Sequence, residues 1–295
     1  LGRIDELIKM ISKFVKIPAS MIGVGNGSDQ ILDLILLHFA SKKTKILTSK
    51  PTFGFFEERC KLYSIPLIAI PFSDDMKLDV TEFEKNSKST DILYLDSPNN
   101  PTGFTFTKPQ LQKLIKSFSG LVIIDEAYGE FADYSLTSMT KSCNNLIVVR
   151  TLSKSFGLAG LRLGYFVANK KFTETFMNVL QYPYPLSTIT IESGIVALQK
   201  TDLMYNTAEL IKSERKRIID SLKKFDAFDV FDSQANFVLF DAYGSYKRVY
   251  SALAEQGISI RKLGKIGNHL GCLRVTVGTK EMNSKFLLAI RDLLG

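Results

Sequence analysis

Up to about Ile189 the chain alternates short apolar runs with longer stretches whose apolar residues recur at helical spacing. The runs Met21–Val24, Lys45–Thr48, Pro66–Ile70, Ile92–Leu95, Leu121–Ile124, Leu146–Val149 and Gly164–Ala168 predict strands, several too apolar to keep a wet face. Between them the spacing predicts helices over Leu1–Phe14, Ile31–Phe39, Phe55–Leu62, Val80–Ser87 and Thr107–Phe118. The last has chemically marked ends. Thr107 and Gln110 have capping-box spacing, Leu111, Leu114, Ile115 and Phe118 share one face, and Gly120 follows as a stop. Strands alternating with amphipathic helices predict an α/β fold, a mainly parallel sheet with helices on both faces.

Beyond Ile189 the pattern changes. A long helical stretch with a charged face runs to about Lys224. It is followed by strands at Phe237–Phe240, Ile258–Ile260 and Leu273–Val277 and helices at Tyr246–Glu255 and Glu281–Leu294. This predicts a large domain over 1–201 and a smaller α+β domain over 202–295, joined by the long helix. A chain of 295 residues suits that division.

Composition narrows the function classes. The formal charge is +8, but Lys and Arg are scattered among Asp and Glu. The densest basic stretch, Lys212–Arg217, includes Glu214 and reads as the wet face of a helix. No recognition motif accompanies the charge, so no nucleic-acid partner is expected. No apolar run approaches a membrane span and no secretory signal is visible. Cys60, Cys143 and Cys272 are odd in number, far apart and without metal-ligand spacing. They predict a reducing, cytoplasmic setting with neither disulfides nor a metal, and Cys272 reads as core. Of the two histidines, His38 reads as structural and His269 as part of a polar loop. The chain opens at Leu1, already inside a helix-like stretch, which leaves room for a preceding segment.

Ligands in open α/β sheets bind beyond the carboxyl ends of the strands, and three such ends lead into polar segments here. Ile92–Leu95 runs into Asp96-Ser97-Pro98-Asn99-Asn100-Pro101-Thr102-Gly103, which loop formation alone could explain. Leu121–Ile124 runs into Asp125-Glu126-Ala127-Tyr128, where an acid at the core's edge needs a cation or several donors. Leu146–Val149 runs into Thr151-Leu152-Ser153-Lys154, with Gly157, Gly160, Arg162 and Gly164 downstream. A desolvated lysine can attack an aldehyde, and serine and arginine are phosphate-holding types. Earlier in the chain, Gly25-Asn26-Gly27-Ser28-Asp29-Gln30 opens a helix through a Ser or Asp cap, a further place for a phosphate.

Together these segments resemble the fold-type-I pyridoxal-phosphate aminotransferases. Within them Ser97–Gly103, Arg150–Lys154, Leu158–Arg162, Tyr184–Thr188 and Gly271–Gly278 are most similar to the histidinol-phosphate aminotransferases. The likeness runs from about Gly25 to the C-terminus. It implies a sheet of the seven-stranded type, pyridoxal 5'-phosphate as cofactor, a homodimer, and transfer of an amino group between L-histidinol phosphate and 2-oxoglutarate in histidine biosynthesis. Small-molecule amino phosphates and 2-oxo acids are then the partners. Lys154 would bond the cofactor aldehyde and move protons, Asp125 would pair with the ring nitrogen, and Tyr128 and Asn100 would bond the ring's phenolic oxygen. Ser28, Asp29, Ser153 and Arg162 would form the phosphate end. Phe53 stands where the family stacks a tyrosine, so a face contact remains without the hydroxyl; burial as plain core is the competing reading. For substrate, the resemblance implies Arg274 and Arg261 as anion holders, with Tyr182, Tyr184 and Asn236 beside them.

Two departures stand out. The family's N-terminal arm, with a tyrosine reaching the partner's cofactor, has no counterpart in this sequence, and Gln30 replaces a common acidic residue. Rival readings are an aromatic-amino-acid aminotransferase, a phospho-amino-acid decarboxylase of the same fold, and a non-catalytic module that binds the cofactor. A nucleotide-binding protein built on Gly23–Gly27 lacks the full glycine fingerprint.

Overall fold

The computed structural model describes residues 2–294; Leu1, assigned above to the first helix, lies outside them. In chain order the first elements are α1 (Gly2–Val15), β1 (Ile22–Asn26), α2 (Gly27–Phe39), β2 (Ile46–Lys50), α3 (Gly54–Leu62) and β3 (Leu67–Pro71). Next come α4 (Val80–Asn86), β4 (Ile92–Asp96), α5 (Lys108–Ser117), β5 (Leu121–Asp125), β6 (Leu146–Thr151) and β7 (Leu163–Val167). Then follow α6 (Lys170–Thr175), α7 (Thr188–Gln199), α8 (Thr201–Leu222), β8 (Asp229–Val230) and β9 (Phe237–Asp241). The last are α9 (Tyr246–Glu255), β10 (Arg261–Ile266), β11 (His269–Thr276) and α10 (Lys280–Leu294).

The large sheet has seven strands in the order β1-β7-β6-β5-β4-β2-β3. Neighbours from β3 through β6 pair in parallel, and only β7 runs against the rest. The apolar runs are buried on both faces, as their composition requires. On one face Ile31, Ile35 and Phe56 of α2 and α3 meet Tyr94, Ile123, Ile147 and Val149. Phe56 stacks on Tyr94 with ring centroids 3.5 Å apart. On the other face Leu111, Leu114 and Ile115 of α5 cover Leu95, Val122, Ile124 and Val148. Capping chemistry sets the entry of α5, where the Gln110 amide oxygen accepts the Thr107 N–H at 2.9 Å.

The second sheet is antiparallel, in the order β10-β11-β9-β8. It is backed by α8, α9 and α10 through Ile218, Leu222, Val249, Leu253, Phe286 and Ile290. Several sequence expectations change here. The long helical stretch is two helices, because Lys200 leaves helical geometry (φ −114°, ψ 37°) between α7 and α8. The segment Ile258–Ile260 is irregular, and its strand begins at Arg261. His269 opens β11 and is buried; its Nε2 lies 2.6 Å from the Asp74 carbonyl and its Nδ1 3.1 Å from Asp241. His38 is exposed near the end of α2. The Lys212–Arg217 stretch is not all wet: Arg215 is buried and donates to the carbonyls of Phe131 (3.1 Å) and Ala235 (2.8 Å). Met204 and Ala208 of α8 also pack with Tyr128, Phe131 and Phe237, so this helix touches both sheets' surroundings.

Candidate active site

The carboxyl ends of β4, β5 and β6 converge on a cleft lined by Ser28, Asp29, Phe53, Asn100, Asp125, Tyr128, Ser153, Lys154 and Arg162. All nine residues assigned above to the cofactor therefore share one cavity. Asp96, Pro98, Ala127, Thr151 and Ala159 complete its wall.

Each side chain arrives there for a local reason. Thr151 ends β6, and its hydroxyl accepts the Ser153 N–H at 3.1 Å, turning the chain so that Lys154 enters the cleft. The Lys154 ammonium lies 5.5 Å from the centre of the Tyr128 ring. Burial, and after it the positive charge of Arg274, lower the lysine's proton affinity from its ordinary value. Asp125 is the last residue of β5 and is buried; it accepts the Ala127 N–H at 3.0 Å and the Tyr94 hydroxyl at 3.3 Å. Burial, then the charge of Asp96, push its carboxyl up to about 7. Tyr128 follows in the next turn, edge-on to Phe237 (5.2 Å), and burial raises its phenol to about 12.

The anion-binding end is built on close backbone approach. Helix α2 begins at Gly27 with φ +77°, and a Cβ there would lie 2.6 Å from Arg162 Nη2. A Cβ on Gly164 would run into the Gly27–Ser28 backbone, so the Arg162 turn sits directly on the start of the helix. The expected Ser or Asp cap is not formed. Asn26 is the N-cap without a side-chain bond, and Gln30 accepts the Asn26 N–H at 2.7 Å instead. Asp29 pairs with Arg162 at 2.6 Å. Ser28, Ser153, Arg162 and the first-turn N–H groups thus form a donor set suited to a phosphate.

The substrate-facing residues are less gathered. Arg274 is half-buried on β11, bonded to the Asn100 amide oxygen and lying 4.6 Å above the Phe237 ring; its Nε has no partner among the described residues. Arg261 is its register partner on β10 and is exposed. Tyr182 and Tyr184 are exposed and stand outside the cleft, although Gln181 beside them binds the Val24 carbonyl at 2.9 Å. Asn236 is half-buried, and its backbone carbonyl accepts from Val277. Asp96 is the cleft acid to which the sequence reading gives no role. It follows its apolar run just as Asp125 does, and that same signal points to it.

One further cluster braces the cleft from the opposite side of the sheet. Arg150 on β6 is buried and pairs with Glu130 (2.8 Å) and Glu126 (3.4 Å). Glu126 also accepts the Ser135 hydroxyl and the Leu136 N–H, both at 2.6 Å. The segment carrying Asp125 and Tyr128 is thereby tied to the strand leading to Lys154.

An accessible amine of reduced basicity, a buried acid without a cation, and an anion cradle at a helix start fit an aldehyde-bearing, phosphorylated pyridine. The fold and cleft are those of a pyridoxal-phosphate-dependent transaminase. The chain belongs to the aminotransferase class I and II family, whose model matches residues 2–290. It is 34% identical to a histidinol-phosphate aminotransferase of Thermoanaerobacter sp. (strain X514), over 98% of this chain and 82% of that protein. Among solved structures, the histidinol-phosphate aminotransferase of Clostridium acetobutylicum superposes with a TM-score of 0.89 at 27% identity, covering 98% of this chain and 88% of that one. The Sinorhizobium meliloti enzyme, solved with pyridoxal-5'-phosphate, shares the fold with a TM-score of 0.87 at 23% identity, over 98% and 80%.

Proposed function

We propose that this transaminase moves an amino group between L-histidinol phosphate and 2-oxoglutarate, giving imidazole-acetol phosphate and L-glutamate in histidine biosynthesis. The observation that carries the reading is the convergence of Lys154, Asp125, Tyr128 and the Ser28–Ser153–Arg162 cradle on one cleft. When bound, pyridoxal phosphate supplies the carbonyl that takes up the amine and the ring that accepts the electrons left at the substrate Cα.

The chain's own residues do the rest. Lys154 would hold the cofactor through its Nζ, and the same Nζ, with its lowered basicity, would move the proton at the substrate Cα. Asp125, short of a cation in its burial, would pair with the ring nitrogen and favour its protonated form. Tyr128 and Asn100 would bond the phenolic oxygen, Phe53 would cover one face, and Ser28, Ser153 and Arg162 would hold the phosphate, with Asp29 orienting Arg162. Arg274 grips the substrate's anionic end with Arg261 next to it, and a planar fork suits carboxylate and phosphate alike. Tyr182, Tyr184 and Asn236 join only where the pocket is completed by closure or by a second copy. In the same reading residues 1–201 form the cofactor domain and 202–295 the smaller one, and the enzyme works as a cytoplasmic homodimer. None of the described helices is long and apolar enough to cross a membrane.

The test has two arms. Borohydride reduction and peptide mapping place the label on Lys154, and label elsewhere removes the site. Coupled assays compare histidinol phosphate with phenylalanine and a phospho-amino acid; preference for either of the latter overturns the substrate.

A further inference from the structure

Asp96 is a buried acid in the cleft for which the roles above have no use. It ends β4 as Asp125 ends β5, and the two are Cα partners in the parallel ladder. Partners on neighbouring strands project to the same face, so both carboxylates face the cleft they both line. Asp96 is held firmly. Its Oδ1 accepts the Thr52 hydroxyl at 3.0 Å and the Asn99 amide at 2.9 Å, and its Oδ2 accepts the Asn100 N–H at 2.7 Å. Neutral donors hold it there, and no cation pairs with it among the described residues.

We propose that Asp96 is a positioning residue that works through Asp125: it supplies a second negative charge beside the first, and so strengthens the hold on a protonated ring nitrogen. This rests on the assignment of Asp125 to that nitrogen. Two adjacent acids that lack a cation repel each other, and a cationic ring held in this cleft would relieve both. Burial pushes Asp96 up to about 6 even against its three donors, which accords with an acid that still lacks a positive partner. The other groups facing the pair are Tyr94 on β4, Tyr128 after β5, Asp29 at the start of α2, Lys154 after β6 and Cys60 on α3 beneath Tyr94. Arg274 reaches the same loop through Asn100.

The experiment follows the pH midpoint of the bound cofactor's visible absorbance band, with kcat and KM measured in parallel. Asp96→Asn should lower the midpoint by about half to one pH unit and reduce kcat severalfold with KM little changed. Asp96→Glu, which keeps the charge, should restore most of the midpoint. Thr52→Val loosens the loop and keeps the charge, so a merely structural role predicts that it mimics Asp96→Asn, whereas the proposal predicts a midpoint near the parent's. Asp96→Ser serves as the neutral variant if Asp96→Asn does not accumulate. An unmoved midpoint in a folded, loaded neutral variant overturns the proposal. Asp125→Asn run alongside separates the two failures. If it moves the band and the neutral Asp96 variant does not, Asp96 alone is misassigned; if neither moves it, the reading of Asp125 falls as well.

Discussion

Two groups of buried charge are carried by the same strands and have opposite characters. On one face of the sheet Arg150 sits between Glu126 and Glu130, and Ser135 and the Leu136 N–H complete the set. On the other, Asp125 and Asp96 lie side by side with only neutral donors. The first cluster brings its own counter-charge and is complete within the chain. The second is costly to hold until a cation arrives, since buried acids without one are forced towards their protonated forms. Asp125 and Glu126 are adjacent in the chain, yet that single step separates an acid with neutral donors from one with a counter-charge. What marks a ligand site here is charge left unbalanced.

The largest effect that would break this contrast belongs to the amine opposite the acids. Lys154→Ala should retain cofactor binding through the phosphate cradle while turnover falls by about 10²–10⁴-fold or more, as for other general acid–base groups. Steady-state assay of the loaded variant decides it, and near-normal turnover would remove the lysine from the chemistry. Next comes the self-sufficient cluster. Arg150→Met leaves Glu126 and Glu130 buried without a counter-charge, which should cost about 3–5 kcal/mol in denaturant unfolding. A loss under about 1 kcal/mol would mean the pair is far wetter than its burial implies.

Asp125 sharpens the comparison through pH. Its folded carboxyl titrates at about 7 against about 3.8 in the unfolded chain. Between those values the folded protein holds a proton that the unfolded chain has released, so stability of the cofactor-free protein falls as pH rises from about 4 to about 7 and then levels off. Asp125→Asn removes this penalty. The cofactor-free variant should be more stable than the parent at pH 8 by up to a few kcal/mol, at about 1.4 kcal/mol for each pH unit separating the folded and unfolded values. The gap should close towards pH 4. Loading the cofactor should reverse the order, because the ring supplies the cation. A variant less stable than the parent at pH 8 without cofactor contradicts the unbalanced-charge picture.

The same contrast shows what the sequence makes legible. The strands of the large sheet can be read because each apolar run is bounded by turn formers, and the cleft can be read because its residues follow those runs directly. Asp96 obeys that rule but is hidden, because Pro98–Gly103 already explains its segment as a loop. The break at Lys200 has no glycine or proline to announce it. Arg215 looks wet among its charged neighbours, and only the fold brings the Phe131 and Ala235 carbonyls to it. Tyr182 and Tyr184 carry a family pattern in sequence, but in the fold they are exposed and stand outside the cleft.

The smallest effect resolves the two readings of Phe53. The ring lines the cleft at the N-cap of α3, half-buried, 5.9 Å from Phe55. Were it plain core, Phe53→Ala would cost about 3–5 kcal/mol of stability, the range for buried aromatics, and leave cofactor affinity alone. A cover for the cofactor ring predicts a smaller stability loss, because the ring is only partly buried, together with faster cofactor release. Phe53→Tyr then adds the hydroxyl that the family's tyrosine carries. A single net hydrogen bond contributes about 0.5–1.5 kcal/mol, so release should slow by about two- to tenfold, with unchanged unfolding in the cofactor-free protein. Stopped-flow release into excess apo-acceptor measures both variants. If Phe53→Ala unfolds the protein and Phe53→Tyr leaves release untouched, the ring belongs to the core and plays no part in covering the cofactor.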